Sequence, residues 1–241
     1  MNGTEMNYKT VTLDFWDTLV FYPMTDEIFM ERVEHASNIF RGYDISYETS
    51  IMLMRSIYEN FEYIWHNENR TPTTPESFRF VEKILGYEFD PEHLRELIAY
   101  NEKLVTDKYF SLTDTVAEAV KKLAAKYKIV IISDTGFEPG REIRNALKKH
   151  DLYRYITEGV FSDETGFSKP DKRAFHKAAE LTGSKFSEMI HIGDREAKDI
   201  IGAKSVGMSA ILYTGFRDDD KNSTTADHVF GTWEEILDKL I

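Results

Sequence analysis

The sequence predicts an α/β protein: a three-layer, doubly wound parallel sheet with a bundle of helices inserted into it. Three observations carry that prediction. From residue 111 to the end, short apolar runs alternate with helical stripes, the rhythm of a parallel sheet covered on both faces. One of those runs, Lys128 to Ser133, is a continuous apolar stretch, as in a strand buried on both sides. A first strand, Tyr8 to Leu13, is cut off from the others by residues 21–110, which have helical spacing and no strand-like run.

The elements follow in order. Tyr8 to Leu13 is β-branched at Thr10, Val11 and Thr12 and delivers Asp14 at its carboxyl end. Phe21-Tyr22-Pro23 reads as a hinge. Phe29, Val33, Ala36 and Phe40 then recur at helical spacing, as do Met54, Tyr58, Phe61 and Trp65. Phe78, Val81 and Leu85 make a shorter stripe, and Leu94, Leu97, Ile98, Leu104 and Val105 a fourth. Breaks at Gly42-Tyr43-Asp44, Thr71 to Pro75 and Gly86 to Pro91 divide this region into about four helices. Thr115-Val-Ala-Glu118 has the capping-box pattern and opens a helix to Lys126. After the strand from Lys128, Gly136 and Pro139-Gly140 precede a helix ending near His150. Gly159 to Phe161 is a strand, Pro170 to Leu181 a helix, Met189 to Ile192 a strand and Ala197 to Ser205 a helix. Ser209 to Tyr213 is a strand, Ala226 to Phe230 a short edge strand and Thr232 to Leu240 the last helix. The expected organisation is an α/β core of residues 1–20 and 111–241, with a helical cap domain of residues 21–110. A segment inserted directly after the first strand is placed to cover what that strand delivers.

Composition narrows the function. A chain of 241 residues, 41% hydrophobic, can bury a real core. A net charge of −12 argues against a nucleic-acid binder, which needs a basic face. The absence of Cys excludes disulfides, thiolate zinc sites and thiol catalysis. No apolar run approaches the roughly 18 residues of a membrane span, and Met1 to Glu5 does not read as a signal peptide. The expectation is a soluble, cytoplasmic protein whose partner is a small molecule. Asp218-Asp219-Asp220 reads as a solvated loop.

In open α/β sheets, ligands bind beyond the carboxyl ends of the strands, and chemistry-bearing residues gather there. The first strand ends in Asp14, the strand from Lys128 in Ser133 and Asp134, and the strand from Met189 in Gly193-Asp194, with Asp199 five positions on. Lys169 lies in a loop just before a helix. Asp14 and Asp194 would repel each other without a cation, and a hard, oxygen-seeking ion such as Mg²⁺ fits that need. Such an ion also binds a phosphate oxygen and screens an anionic nucleophile. Lys169 would neutralise Asp14 and a substrate oxygen, and Ser133 would hold another phosphate oxygen. Asp14 is then placed to attack phosphorus and form an aspartyl-phosphate that water hydrolyses.

These residues fall in an ordered set. Leu13-Asp14-Phe15-Trp16-Asp17-Thr18-Leu19, Ile131-Ile132-Ser133-Asp134, Ser168-Lys169-Pro170-Asp171 and His191-Ile192-Gly193-Asp194-Arg195-Glu196-Ala197-Lys198-Asp199 resemble the four motifs of the haloacid dehalogenase-like (HAD) hydrolase superfamily. The resemblance covers the chain from about residue 8 onward. It implies a Rossmann-like core with a type-1 helical cap, and Asp14 as the nucleophile. It further implies Mg²⁺ held by Asp14, the Trp16 carbonyl and Asp194, with Asp199 beside the metal. Ser133, Asp134, Lys169 and Thr18 are expected around the phosphate of a small phosphorylated metabolite. The departure is Trp16, which stands where phosphatases of the superfamily carry a second Asp as general acid and base. Asp17 is one position late and reads as a turn residue.

Two other readings accompany the phosphatase. Dehalogenases of the superfamily also lack the second Asp and often carry an aromatic there, but they work without Mg²⁺ and usually lack the Gly-Asp seen here as Gly193-Asp194. A weakly active protein that binds a phosphorylated ligand is the third. Asp199 reads equally as a metal carboxylate or as a charge favouring a helix N-terminus. In the helical segment, Arg55, His66 and Arg70 read as solvated, and Tyr58, Phe61 and Trp65 as bundle core. Lys103 or Lys108 would suit a Schiff base in a phosphonate-cleaving variant, but nothing singles out either.

Overall fold

The computed structural model describes residues 7–21 and 25–241. The strands are β1 (Thr10–Leu13), β2 (Lys128–Ser133), β3 (Glu158–Phe161), β4 (Met189–Gly193), β5 (Ser209–Tyr213) and β6 (His228–Phe230). They form one sheet in the order β3-β2-β1-β4-β5-β6, and every pairing is parallel. The order reverses between β1 and β4, which opens a crevice beyond their carboxyl ends.

The apolar run of β2 is explained by alternation across two covered faces. Ile129 and Ile131 join Val11, Leu13, Ile190 and Ile192 on one side. Val130 and Ile132 join Val160, Phe175 and Ala203 on the other. The first face carries α5 (Asp114–Ala124), α6 (Gly140–Lys149) and α10 (Trp233–Leu240), the second α8 (Lys172–Thr182) and α9 (Ile201–Ser205). A short helix, α7 (Ser162–Thr165), follows β3.

Between β1 and α5 run α1 (Asp26–Phe40), α2 (Tyr47–Asn67), α3 (Thr74–Leu85) and α4 (Pro91–Leu104), then a π-helical turn at Val105–Tyr109. Their starts are capped, with Ser46 before α2, a Thr73–Glu76 capping box before α3, and Pro91 opening α4 behind Asp90. They pack around their own apolar cluster, which includes Val33, Phe40, Met54, Phe78 and Leu97. Phe137, from the loop after β2, also enters it.

Two expectations change. The N-cap of α5 is Thr113, whose hydroxyl accepts from Val116 N–H at 3.3 Å. Glu118 does not close a capping box with Thr115; it pairs with Lys121 at 2.7 Å. The helix expected from Ala197 begins as a π-helical turn, Glu196–Ile200, before α9. There both Asp199 N–H and Ile200 N–H donate to the Arg195 carbonyl, at 2.9 and 3.3 Å. The widened turn buries Lys198, Asp199 and Ile200 in succession, which a regular helix face does not do. The hinge expected at Phe21-Tyr22-Pro23 lies partly, and Met1 to Glu5 wholly, outside the described residues.

Candidate active site

The site is assembled by backbone before any side chain acts. Asp14 N–H donates to the Ile192 carbonyl at 2.9 Å, extending the β1–β4 ladder one residue past β1. That sets Asp14 beside Asp194, and both are buried, at 6% and 3% exposure. Gly193 lets the next shell approach, since a Cβ there would lie 2.3 Å from Asp199 Cγ. Lys169 reaches in from the loop before α8. Its Nζ donates to Asp14 Oδ1 and, at 2.7 Å, to Asp199 Oδ1. Asp199 also accepts from Arg195 N–H at 3.0 Å and pairs with His191 Nε2 at 3.1 Å. An ionised carboxylate only accepts, so His191 carries its proton on Nε2 and takes the Thr12 hydroxyl at Nδ1, 2.8 Å away.

Burial and charge oppose each other here. Burial raises Asp14 to about 7 against the pull of Lys169. Asp194 is raised to about 8, by burial first and then by Asp14 and Asp199. Asp199 is buried too, but Lys169 and His191 outweigh that and hold it below the usual carboxylate range. Burial alone would lower Lys169; Asp14, Asp199 and Asp134 instead keep it above the ordinary lysine value. Lys169 is therefore a fixed cation and Asp199 a fixed anion, and Asp14 and Asp194 are the carboxylates left under mutual repulsion.

These groups form the floor of a cavity of about 380 Å³. Asp134 belongs to it, but not as expected for a phosphate contact. Its carboxylate accepts from Trp65 Nε1 at 2.8 Å and from Lys169 N–H at 2.9 Å, so its side chain ties the floor to α2. Thr18 is also redirected: it is fully buried and donates to Asp14 Oδ2 at 3.0 Å, which orients that carboxylate and leaves no hydroxyl for a phosphate. Ser133 sits at the end of β2, 1% exposed, with a long 3.5 Å contact to the Asp134 carbonyl. The Trp16 indole borders the cavity and packs edge-on against Phe15 at 4.8 Å and against Ile28, Leu104 and Val105. Asp17 adopts φ +57° in the turn that returns the chain to Val20, and it too borders the cavity.

The largest correction concerns α2. Phe61 and Trp65, expected as bundle core, line the cavity instead, and Tyr58 does both, packing against the bundle's apolar cluster while it borders the cavity. Arg55, His66 and Arg70 do not line it, as expected. Lys108 is engaged elsewhere, with Glu31 at 2.5 Å.

A model of the haloacid dehalogenase-like hydrolase family matches residues 8–207. The chain belongs to that family. Over 61 residues it is 41% identical to the glyceraldehyde 3-phosphate phosphatase of Methanothermobacter thermautotrophicus, a match spanning 25% of this chain and only 27% of that one. Over 212 residues it is 26% identical to the glyceraldehyde 3-phosphate phosphatase of Pyrococcus furiosus, spanning 85% of this chain and 80% of that one. Its fold is shared with a HAD phosphatase from Thermococcus onnurineus (TM-score 0.66, 23% identity, 96% of this chain and 97% of that one). It is shared almost equally with a 2-haloacid dehalogenase from Pseudomonas syringae (TM-score 0.62, 16% identity, 96% and 97%). The fold alone thus accommodates chemistry at phosphorus or at carbon.

HAD hydrolases generally use a divalent metal, and the donors present fit one. Carboxylate oxygens of Asp14, Asp194 and Asp199 lie within 4.8 Å of one another, the hard-oxygen set such ions prefer. Asp194 Oδ2 is buried without a hydrogen-bond donor among the described residues. The guanidinium groups of Arg195 and Arg217 stand off at 3.7 and 3.6 Å.

Two parts of this HAD site escape sequence reasoning. Lys198 donates from Nζ to the Trp65 carbonyl at 2.8 Å and lies 4.5 Å from the centre of its ring. It stood inside a recognised motif, and the missing signal was the π turn that aims it inward. Glu138 borders the cavity fully buried, ion-paired with Arg32 of α1. Arg32 is held by the Asn101 carbonyl at 2.7 Å and lies over Phe137 at 4.3 Å. No local pattern announces a pair 106 positions apart.

Proposed function

We propose that the chain is a Mg²⁺-dependent phosphomonoesterase that acts through an aspartyl-phosphate on Asp14, with the helical segment as a cap over the site. The observation that carries this reading is the pairing of Asp14 with Asp194, whose buried Oδ2 has no donor among the described residues. A buried carboxylate oxygen that receives no hydrogen bond, beside a nucleophilic carboxylate, is costly unless a cation joins them. Asp14, Asp194 and the Trp16 carbonyl would hold the ion, and it would withdraw charge from the phosphate and screen the attack. Asp199 is already committed to Lys169, His191 and Arg195 N–H, so it acts by fixing Lys169. The names of the two archaeal relatives support the same class of substrate, a small phosphate ester.

The chain's own residues then divide the work. Lys169 and Thr18 hold the two oxygens of Asp14 and set the direction of its lone pairs. Lys169 also neutralises charge as an Asp14 oxygen bonds to phosphorus and the ester oxygen departs with the bonding pair. Lys198, which borders the cavity, would donate to one phosphate oxygen, and the Ser133 hydroxyl at the end of β2 to another. The alcohol takes its proton from solvent, since the Trp16 indole cannot donate one in the place of a carboxylic acid. Water then attacks phosphorus, releasing inorganic phosphate and restoring the Asp14 carboxylate.

The dehalogenase reading draws on Trp16 and the shared fold, but it gives no metal to Asp194, whose Oδ2 has Arg195 and Arg217 only at 3.7 and 3.6 Å. The test is phosphate release and chloride release measured side by side, with and without Mg²⁺, on the wild type, Asp14→Asn and Asp194→Asn. Mg²⁺-dependent phosphate release that both substitutions abolish supports the proposal. Metal-independent chloride release from a 2-haloacid that survives Asp194→Asn overturns it.

A further inference from the structure

Building on the phosphomonoesterase reading, we infer that the alcohol part of the substrate carries a single planar ring and no second anionic group. The ring follows from the cavity wall. Tyr58, Phe61 and Trp65 stand on one face of α2, Phe137 faces them from the loop after β2, and Trp16 closes the side nearest Asp14. Phe61 and Trp65 lie 6.0 Å apart and tilted, and Tyr58 meets Phe137 edge-on at 5.6 Å. These rings touch one another yet still border open space, and Tyr58, Phe61 and Trp65 are only half-buried. Flat apolar faces around an empty volume are completed best by another ring, stacked or edge-on. An open three-carbon sugar phosphate would leave most of that surface uncovered. A volume of about 380 Å³ is near the lower end of small-molecule sites, about 300–1,000 Å³, which suits one ring with its phosphate.

The second half follows from charge. Seven carboxylates line the cavity against three cations, Lys169, Arg195 and Lys198. Even one divalent ion leaves no surplus of positive charge once a phosphoryl group is in place. The carboxylates nearest the rings are Glu62, more than half exposed and 3.1 Å from His66, and the buried Glu138. Glu138 is already balanced by Arg32 behind it. A second phosphate or a carboxylate on the alcohol would therefore meet excess negative charge with no surplus cation to balance it, which disfavours it. A hydroxyl or N–H on the ring would instead find acceptors there.

Competitive inhibition by phosphonates separates recognition of the alcohol from the chemistry. Phosphate release from phenyl phosphate that Asp14→Asn abolishes establishes the parent activity on its own. No release from any ester defeats that parent reading, and this inference falls with it. Given activity, phenylphosphonate is expected to inhibit with a Ki about tenfold below that of methylphosphonate, the scale of one well-made ring contact. Phosphonoacetate, with its added carboxylate, is expected to bind no tighter than methylphosphonate. In Phe61→Ala the advantage of the phenyl compound falls toward unity. In Phe61→Leu, which keeps apolar bulk and guards against simple collapse of α2, part of it survives. Equal constants for the phenyl and methyl compounds, tightest binding by phosphonoacetate, or a phenyl advantage untouched in Phe61→Ala would each overturn the inference while leaving the phosphatase intact.

Discussion

The carboxylate floor and the aromatic wall of the cavity are held in place by opposite means. The floor is fixed by strand ends. Asp14 continues a β ladder, Lys169 is pinned between two carboxylates, and Asp199 accepts three hydrogen bonds. The wall is one face of α2, positioned by packing and tied to the floor through a few bonds, chiefly Trp65 Nε1 to Asp134 and Lys198 Nζ to the Trp65 carbonyl. The floor is specified atom by atom and leaves little freedom in residue type. The wall is specified by the shape and flatness of its rings rather than by individual hydrogen bonds. On the proposed reading, chemistry belongs to the first and selectivity to the second.

That division predicts what substitution should do in each region. The largest effect belongs to Trp16, the residue where floor and wall meet. Trp16→Asp supplies a carboxyl group where the leaving oxygen needs a proton, and a positioned acid contributes about 10²–10⁴-fold. Turnover of alkyl phosphates is expected to rise by about 10²-fold, at the low end of that range, with aryl phosphates nearly unchanged because a phenolate leaves without help. Steady-state kinetics on both ester types checks this, and equal changes on both would show that another residue already supplies the proton.

The next effect is on stability and probes the join between the helical segment and the sheet. Arg32→Met removes the guanidinium that neutralises buried Glu138, at a cost of about 3–5 kcal/mol. Denaturant unfolding should show that loss, and the double variant with Glu138→Leu should recover most of it. A loss below 1 kcal/mol would mean that the pair is hydrated in solution.

The smallest effect is a pH dependence confined to the floor. Asp14 and Asp194 sit at about 7 and about 8 in the folded, metal-free protein, raised by burial from 3.8. A carboxyl group raised on folding binds its proton more tightly in the native state. Its contribution to stability is therefore complete at low pH and is lost as pH rises toward 7 to 8. A divalent ion needs both groups ionised and releases their protons on binding. The rise in melting temperature on adding Mg²⁺ is expected to be larger at about pH 8 than at about pH 5. Equal rises at both would place the ion away from Asp14 and Asp194.

The same contrast explains what could be read from the sequence. Asp14, Asp134 and Asp194 at the ends of apolar strands stood out because carboxylates are costly there, and the parallel sheet followed from the doubly buried run of β2. Tyr58, Phe61 and Trp65 were legible as one helix face, but aromatic residues at that spacing look the same whether the face meets a core or a cavity. Thr18 was expected at the phosphate, and its actual partner, Asp14, depended on how tightly the turn at Asp17 closes. The start of α5 was misplaced because Thr113 and Thr115 both suit an N-cap, and only the backbone decides between them. Lys198 needed the π turn, and Glu138 needed a partner in a distant helix.

The most direct test of the account is a single turnover in ¹⁸O-labelled water, followed by mass spectrometry of the released phosphate and of the peptide that contains Asp14. An aspartyl-phosphate is opened by water at phosphorus, so the label should appear in inorganic phosphate and Asp14 should remain unlabelled. Label in the Asp14 carboxylate would show attack at its carbonyl carbon, the outcome of an alkyl ester intermediate, and would contradict the assignment of this site to phosphoryl chemistry.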